Sequence, residues 1–364
     1  MWASDAIETL VLADVDEGAA RRLAAEDAAG KAFPRRVDAG EGGALREAMR
    51  GLDIVVNAAI PRFNRGIQEA ALAEGLDYID LAADSADPYA RSADWEAAGR
   101  TGIIGMGEDP GLSNVMARRA ADGMDRVDAI KVRDGDTASS PEHPFICLFS
   151  PETFVEETLA HSKIWRDGVY ETVPPFGALE TYDFPAPVGP LPVYSVDHEE
   201  VDSLPRFIGK GVRYVDFKLA LDGVTVETLR RYQAVREAAR AAGDDAAARR
   251  AFFASIPSPA ALVGRIDGYA ALLVEVSGIS GGRRKVHVQY ALIGHKEASE
   301  RHRATGTAYM TGTPAAVATL LLAEGRIRRP GLLAPELLDP EPFFPMLEDR
   351  GIRVDERITW DPPA

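Results

Sequence analysis

The sequence has 364 residues, of which 46% are hydrophobic and 27% charged, so it can bury a large core and is neither disordered nor collagen-like. Its 41 basic and 57 acidic residues give a net charge of −16, the wrong sign for a nucleic-acid partner. The single cysteine, Cys147, excludes an internal disulfide and favours the reducing cytoplasm. No apolar run reaches the ~20 residues of a membrane span, and the acidic start is unlike a signal peptide, so we expect no membrane association.

The first hundred residues alternate short apolar runs with alanine-rich amphipathic stretches, as in strand–helix–strand units around a parallel sheet. Buried strands are predicted at 9–13, 53–57, 77–81 and 102–106. Helices are predicted between them at 18–29, 43–50, 64–74 and 90–100. The pattern predicts a Rossmann-like, doubly wound α/β domain over residues 1–115.

A second domain is predicted to begin after Gly111, because a helix at 112–123 gives way to alternating strands and a proline-rich stretch. These strands are expected at 127–133, 212–221, 270–278 and 285–293, with a hairpin turn at Gly281 and Gly282. We therefore expect an α+β domain on a mixed or antiparallel sheet. The charged stretch 228–255 predicts a solvated helical pair broken at 243–245, and 314–324 predicts an apolar helix with proline at its start.

Asp14 ends the first predicted strand, where a Rossmann-type domain holds the adenosine ribose through a carboxylate. The 2′-phosphate of NADP would be repelled by Asp14 and Asp16, and no arginine follows them immediately to neutralise it. This favours NAD over NADP. The alternative is that Asp14 or Asp16 caps the following helix. Asp38 and Ala39, after a β-like stretch, could flank the adenine or form a surface turn.

The residues after the strand at 53–57 are placed to cover the nicotinamide ribose. Small side chains there let the backbone approach a ligand, and they are equally common in turns. The residues are Asn57, Ala58, Ala59 and Pro61.

The glycine fingerprint G-x-G-x-x-G should precede the ribose acid by about 20 residues, and thirteen residues precede Asp14. Gly40, Gly42 and Gly43 cannot serve as this fingerprint, because they come after Asp14 and do not have the required spacing. Either the first strand and glycine loop lie upstream of Met1, or the protein binds dinucleotide poorly. We expect the former, because the strands at 9–13 and 53–57 would otherwise lack a neighbour.

From residue 53 onward the sequence resembles the saccharopine dehydrogenase family, and within it the lysine 6-dehydrogenase-like branch. The resemblance is carried by DIVVNAAIPRFNRGIQEAALAEGLDYIDLA and by GIIGMGEDPGLSNVMARRAAD, and it covers most of the chain. In relatives the glycine fingerprint comes before the segment that here reads LVLADVD.

This resemblance implies a substrate and dimerisation domain over 116–311, a segment 312–364 that returns to the dinucleotide domain, and a homodimer. It implies NAD(P)-linked oxidation of a CH–NH or CH–NH2 group of an amino acid, or the reverse reduction, by direct hydride transfer. Residues 193–206 differ from the lysine branch, so lysine is not assigned as the substrate.

The turn that leads into the helix at 112–123 combines two glycines, a proline and a helix N-terminus, which suits a substrate carboxylate or a cofactor amide. Because the resemblance runs through it, we assign Asp109 and Asn114 to substrate and Gly111 to cofactor. The alternative role of Asp109 is a plain N-cap.

Amine oxidation needs a group that removes a proton, and Asp80, His198 and Glu199 are the candidates. The alternative for His198 is a solvated surface position. The triplet His198, Glu199 and Glu200 has no spaced partner such as H-x-x-x-H, so we predict no catalytic metal. Arg206 is the candidate for a substrate carboxylate, ahead of Arg62 and Lys218.

The sequence thus predicts a cytoplasmic NAD-dependent oxidoreductase of a small amino-acid substrate. The alternative enzyme is a saccharopine- or carboxynorspermidine-type imine reductase, which would require a second, carbonyl-bearing substrate. The alternative of another class is a binding or regulatory protein that has lost its glycine loop.

Overall fold

The computed structural model describes residues 1, 3–83 and 87–361. Its first part, up to the turn before residue 112, alternates strands and helices. These are β1 Leu10–Asp14, α1 Glu17–Ala24, β2 Ala32–Arg36, α2 Gly42–Met49, β3 Ile54–Asn57, α3 Asn64–Glu74, β4 Asp77–Asp80, α4 Ser92–Ala97 and β5 Thr101–Ile103.

The second part is longer and richer in strands. Its elements are α5 Leu112–Asp122, β6 Arg126–Asp134, β7 Thr137–Ser139, α6 Pro151–Leu159, β8 Ser162–Arg166, β9 Val169–Val173, β10 Glu180–Asp183, β11 Pro190–Ser195, α7 Glu200–Ile208, β12 Tyr214–Ala220, α8 Gly223–Ala241, α9 Asp245–Ala254, β13 Asp267–Ser280, β14 Arg283–Gly294, α10 His295–His302, α11 Gly306–Ala323, β15 Gly331–Leu333, α12 Phe343–Glu348 and β16 Val354–Trp360.

All strand pairs of the first part are parallel, as predicted. β1 pairs with β2, and a four-stranded sheet has the order β15-β5-β4-β3. In the described residues no pairing joins β1 to β3. Dinucleotide-binding folds have the strand order 3-2-1-4-5-6, in which one group of parallel strands lies on each side of the strand numbered 1. The β1-β2 pair and the four-stranded sheet resemble these two groups.

The second sheet is mixed and ten-stranded, with the order β10-β11-β12-β6-β13-β14-β16 along its main path. β12 and β6 are parallel, whereas β13 is antiparallel to both β6 and β14. The predicted hairpin turn is confirmed, because Gly281 and Gly282 join β13 to β14 with φ values of 58° and 75°.

One hydrophobic core joins the two sheets. Ile79 and Ile103 of the first sheet belong to the same buried cluster as Val132 and Phe217 of the second. Helix α5 packs on β6, β13 and β14 of the second sheet with most of its residues buried, and helix α11 contacts both sheets. The C-terminal residues add β15 to the first sheet, beside β5, and β16 to the second, beside β14.

The predicted helix at 314–324 is corrected by the structure. α11 begins at Gly306, where the Thr305 side chain accepts a hydrogen bond from the Ala308 N–H, and Pro314 lies inside the helix. The predicted helical pair forms as α8 and α9, and α8 begins at Gly223 because the Asp222 side chain caps it. None of the helices in the described ranges is long and apolar enough to cross a membrane.

Candidate active site

The predicted residues His198 and Glu199 come to lie against the carboxyl end of β4. The Ala83 N–H, three residues beyond β4, donates to Glu199 Oε1 at 2.9 Å. Parallel α/β sheets bind their ligands at the carboxyl ends of strands. This hydrogen bond therefore connects the second domain with the ligand-binding edge of the first sheet.

His198 is held by its neighbours on both sides. Its Nδ1 contacts a carboxylate oxygen of Glu200, and its ring stacks on Phe217 with 3.7 Å between centroids and 6° between planes. The His198 side chain is only 8% exposed, so it is not the solvated surface residue considered as an alternative. The fully buried Glu200 also accepts from Ser113 Oγ at 2.7 Å.

The charge of this pair follows from its surroundings. Burial alone would lower the pKa of His198, but the carboxylates of Glu200, Glu199 and Glu157 raise it to about 10. Burial raises the pKa of Glu199, and it raises that of Glu157 to about 8. At neutral pH the imidazole is therefore protonated and can act as a general acid.

Further carboxylates lie close to this pair. Burial raises the pKa values of Glu108, Asp109, Asp134 and Asp136, and the mutual repulsion of neighbouring carboxylates adds to the effect for Glu108, Asp109 and Asp134. Within the described part of the chain none of the four forms a salt bridge with lysine or arginine. Asp134 and Asp136 line a cavity of about 320 Å³. The raised pKa values favour the neutral forms of these carboxyl groups, and a positive charge brought next to them would favour their ionised forms.

Asp80 lies in a hydrogen-bond network below the loops that follow β3 and β4. It accepts from the Gly105 N–H at 2.6 Å and from Tyr78 Oη at 2.9 Å. Asn57 Nδ2 donates to Tyr78 Oη at 2.9 Å and to Asn64 Oδ1 at 2.7 Å. The catalytic role of Asp80 stays a prediction, and its observed contact with the Gly105 N–H ties the end of β4 to the backbone that follows β5.

The turn before α5 is built by glycine and asparagine. Gly111 has a φ of 131°, and an added Cβ would lie 2.2 Å from Gly107 O. Asn114 Oδ1 accepts from the Gly111 N–H at 2.9 Å, and its Nδ2 donates to Ser203 Oγ and Glu336 Oε2. Gly111 is the N-cap of α5, so Asp109 is not, and its Oδ2 is buried without a hydrogen-bond partner among the described residues.

Arg206 lies at the edge of this region. It borders a small pocket together with Glu199 and Asn114. Its guanidinium donates to Asp87 Oδ1 at 3.0 Å and lies 4.9 Å from the centre of the Phe207 ring. The other two cations considered lie elsewhere, since Lys218 pairs with Glu180 and Arg62 lies over Phe63.

The predicted cofactor residues lie at the carboxyl ends of β1, β2 and β3. Asp14 is exposed and accepts from the Asp16 N–H at 2.8 Å, while Asp16, not Asp14, caps α1. Asp38 accepts from the Gly40 N–H, beside the partly buried Ala39. After β3, Ala58 and Ala59 are exposed, the Ala59 N–H is bound by Asn57, and Pro61 begins a 3₁₀ turn.

This arrangement fits a dinucleotide at two places. The exposed Asp14 carboxylate can accept hydrogen bonds from a ribose, and the exposed alanines after β3 leave room for a second ribose close to the backbone. These residues are distinct from the His198 group, which lies beyond β4.

The sequence analysis missed several carboxylates of the site. Glu200 was set aside as an immediate neighbour of His198 and Glu199, although the start of α7 directs all three toward one another, with potential ligand atoms within 4.8 Å. Such a triplet could hold a metal ion, but His198 Nδ1 and Glu200 already bind each other. Asp134 and Asp136 follow the predicted strand at 127–133, and that position could have identified them.

Both parts of the chain match known domain families. Residues 3–103 match the saccharopine dehydrogenase NADP binding domain, and residues 107–352 match the saccharopine dehydrogenase C-terminal domain. The first match confirms a nicotinamide cofactor, and the pair confirms the predicted family.

Individual relatives agree with these matches. The chain is 25% identical over 322 residues to the carboxyaminopropylagmatine dehydrogenase of Synechocystis, covering 85% of this chain and 80% of that protein. It is 28% identical over 340 residues to the carboxynorspermidine synthase of Vibrio alginolyticus, covering 82% and 76%. The structure of apo saccharopine dehydrogenase (L-Glu forming) from Saccharomyces cerevisiae has the same fold, with a TM-score of 0.73 at 18% identity over 98% of this chain and 95% of that one. The chain belongs to the saccharopine dehydrogenase family.

Proposed function

We propose that this protein is an NAD(P)-dependent oxidoreductase that interconverts an imine and the CH–NH group of a carboxylated amine. The observation that carries the proposal is the contact between His198 and the buried Glu200 carboxylate beside the ligand-binding edge of the first sheet, and this contact raises the pKa of the imidazole. The names of two relatives, a carboxynorspermidine synthase and a carboxyaminopropylagmatine dehydrogenase, both denote carboxylated amines. These names favour the imine reductase over the amine dehydrogenase. The two enzymes catalyse the same hydride transfer in opposite directions.

The residues of the site can supply the proton transfers. In the reducing direction an amine adds to a carbonyl group, and the His198 imidazolium donates the proton with which water leaves to form the imine. When bound, the nicotinamide supplies the hydride to the imine carbon or accepts it from the amine carbon. In the oxidising direction Glu199, whose pKa is raised by burial, accepts the proton of the amine. Glu200 holds the imidazole in place throughout.

The catalytic role of His198 can be tested with reduced nicotinamide, an amine and a carbonyl-bearing carboxylic acid. We expect His198→Gln to lower kcat by about 100-fold or more, with a smaller effect on KM. His161→Gln, which changes an exposed histidine, should leave kcat within about twofold of the unmodified protein. An unchanged kcat and pH profile in His198→Gln would contradict the assignment.

We infer that NAD is preferred over NADP, because the exposed carboxylates of Asp14 and Asp16 would repel a 2′-phosphate. Calorimetric titration with each cofactor should show micromolar binding of NAD that Asp14→Ala abolishes. The control Asp183→Ala removes an exposed carboxylate from the second sheet and should bind NAD normally. Tighter binding of NADP would reverse the preference. No binding of either cofactor and no turnover would overturn the enzymatic proposal in favour of a binding protein.

The homodimer and the cytoplasmic location remain part of the proposal. The single cysteine, Cys147, is buried and unpaired, which is consistent with a reducing compartment. Strand β16 ends the main path of the large sheet and leaves Ile358 42% and Trp360 41% exposed. Exposed apolar side chains on an edge strand favour pairing with a second copy.

A further inference from the structure

Glu336, in the segment between β15 and α12, is a buried carboxyl group to which the proposed reaction assigns no part. Its side chain is fully buried. Oε2 accepts a hydrogen bond from Asn114 Nδ2 at 3.0 Å, whereas Oε1 has no hydrogen-bond partner among the described residues. A buried carboxyl oxygen without a partner destabilises the folded state. Stability alone therefore does not explain a glutamate at this position.

Asn114 connects Glu336 with the turn before α5 and with α7. Its Oδ1 accepts from the Gly111 N–H at 2.9 Å, which fixes the orientation of the amide. Nδ2 then faces away from the turn and donates to Glu336 and to Ser203 Oγ of α7, the latter at 3.1 Å. Without the Glu336 acceptor, a buried amide would lose a hydrogen-bond partner, and its position would no longer be fixed on that side.

The position of this amide also affects the His198 group, through Ser113. Ser113 Oγ lies within hydrogen-bond distance of two acceptors, Glu200 Oε1 at 2.7 Å and Asn114 Oδ1 at 3.0 Å. A hydroxyl donates a single hydrogen bond, so the placement of the Asn114 amide decides how fully Ser113 binds Glu200. Glu200 in turn contacts His198 Nδ1. Buried side chains in direct contact thus lead from Glu336 to the imidazole.

The charges around Glu336 support the same connection. Glu336 interacts electrostatically with Glu200 of α7, and burial raises the pKa of Glu336 to about 7. Tyr89 also faces it, as does Arg118 of α5, whose Nε donates to the Glu336 main-chain carbonyl at 2.7 Å. An ionised Glu336 therefore adds negative charge beside Glu200 and favours the protonated form of His198.

We propose that Glu336 is a positioning residue, which holds the Glu200–His198 pair in place through the first residues of α5. The inference rests on the proposed function, because it concerns the proton that His198 donates. Glu336 acts on the orientation and proton affinity of the imidazole and not on a reacting atom. The C-terminal segment thereby contributes to the site, although it is distant from α7 in sequence.

The proposal can be tested without turnover, by NMR titration of the full chain with isotope-labelled histidine. His198→Gln identifies the His198 signal. Glu336→Leu leaves Asn114 without its acceptor, so we expect the acid dissociation constant of the imidazole to rise about tenfold. Glu336→Gln keeps an acceptor of the same shape and should raise it less than about threefold. Glu341→Gln, which changes an exposed carboxylate of the same segment, should leave it unchanged.

A double-mutant cycle tests the route through Ser113. In the turnover assay, Ser113→Ala and Glu336→Leu should each lower kcat at least about tenfold with little change in KM. The double variant should be no slower than the slower single variant, because both changes act on Glu200. Effects that multiply in the double variant would overturn the proposal.

An unchanged dissociation constant of His198 in Glu336→Leu would also overturn it. If Glu336→Leu does not fold, Ser113→Ala must produce the same rise in the NMR titration, and an unchanged constant there has the same meaning. The two proposals can fail separately. A raised constant without turnover would support the positioning role and refute the proposed reaction, whereas turnover with an unchanged constant would refute only the positioning role.

Discussion

Among the carboxylates around His198, Glu200 contributes most to the charge of the imidazole. The imidazole contacts Glu200, which is itself fully buried and bound by Ser113. The contact with Glu200 favours the protonated form of the imidazole. The same contacts fix the ring against Phe217. The group is therefore a preorganised acid as well as a contributor to stability.

The stability contribution of His198 should depend on pH. Its pKa is raised from about 6.5, the ordinary value, to about 10. The stabilisation is therefore fully present below about pH 6.5 and is lost as pH rises through 10. We expect His198→Gln to reduce the free energy of unfolding by about 3 kcal/mol at pH 6 and by much less at pH 10.5. Urea unfolding at both pH values measures this, and an equal loss at both would contradict it.

The turn between β5 and α5 is the element that joins the two domains next to the site. The Gly107 N–H donates to Pro110 O at 2.8 Å, and the Leu112 N–H donates to Gly107 O at 3.0 Å. These bonds bring Gly111 against Gly107 so closely that no side chain fits between them. This turn sets the direction of α5. From the first residues of α5, Ser113 donates a hydrogen bond to Glu200 and Asn114 donates one to Glu336.

Gly111→Ala should therefore disrupt this turn. The added Cβ would lie 2.2 Å from Gly107 O, so the backbone must open, and we expect a loss of roughly 2 kcal/mol or more in the free energy of unfolding. Gly66→Ala is a matched control within α3, because a Cβ there meets nothing within 4 Å. That variant should be stabilised by about 0.5 to 1 kcal/mol. Thermal unfolding of both variants measures the difference, and equal midpoints would be incompatible with the described turn.

Across the whole molecule, the buried acids predict that stability falls with rising pH. Burial raises the pKa of Glu157 to about 8 and that of Glu336 to about 7, against about 4.3 in the unfolded chain. The folded state therefore retains these protons, and the stabilisation that they provide is present below about pH 4 and is lost as pH rises through 7 and 8.

The free energy of unfolding should consequently fall between pH 5.5 and pH 8. In Glu157→Gln this fall should be smaller by about 2 kcal/mol, since one titrating group is removed. Glu142→Gln, which changes an exposed carboxylate, should show the full fall. Chemical unfolding at the two pH values provides the comparison, and an identical fall in Glu157→Gln would show that Glu157 is ionised throughout.

The assembly of the molecule can be tested at its exposed edge. If β16 pairs with a second copy, light scattering after gel filtration should give twice the mass of 39.2 kDa. Ile358→Lys with Trp360→Lys should then shift the protein to the monomer, because charges on an edge strand oppose pairing. Replacement of the exposed Val235 on α8 by lysine should have no such effect. A dimer that persists in the double variant would place the interface elsewhere.

The sequence by itself determined the local elements. The apolar runs around residues 54–57 and 77–80 form strands, and the predicted helix at 64–74 has the same bounds in the structure, because hydrophobic periodicity and glycine termination act over a few residues. The short strand β2 was recognised only as a β-like stretch, since Pro34 and two arginines hide its pattern. The helix at 314–324 was started too late, since proline inside a helix looks like a helix start.

Only the tertiary structure decided the chemistry of the site. His198 lies in a proline-rich segment whose sequence is equally compatible with a solvated loop, and it is buried because its ring stacks on Phe217 of β12, the strand against which α7 packs. The carboxylates of Glu108, Asp134 and Glu200 are far apart in sequence and meet through the turn before α5, the end of β6 and the start of α7. Burial and mutual repulsion of charges arise between elements distant along the chain, so no local pattern in the sequence encodes them.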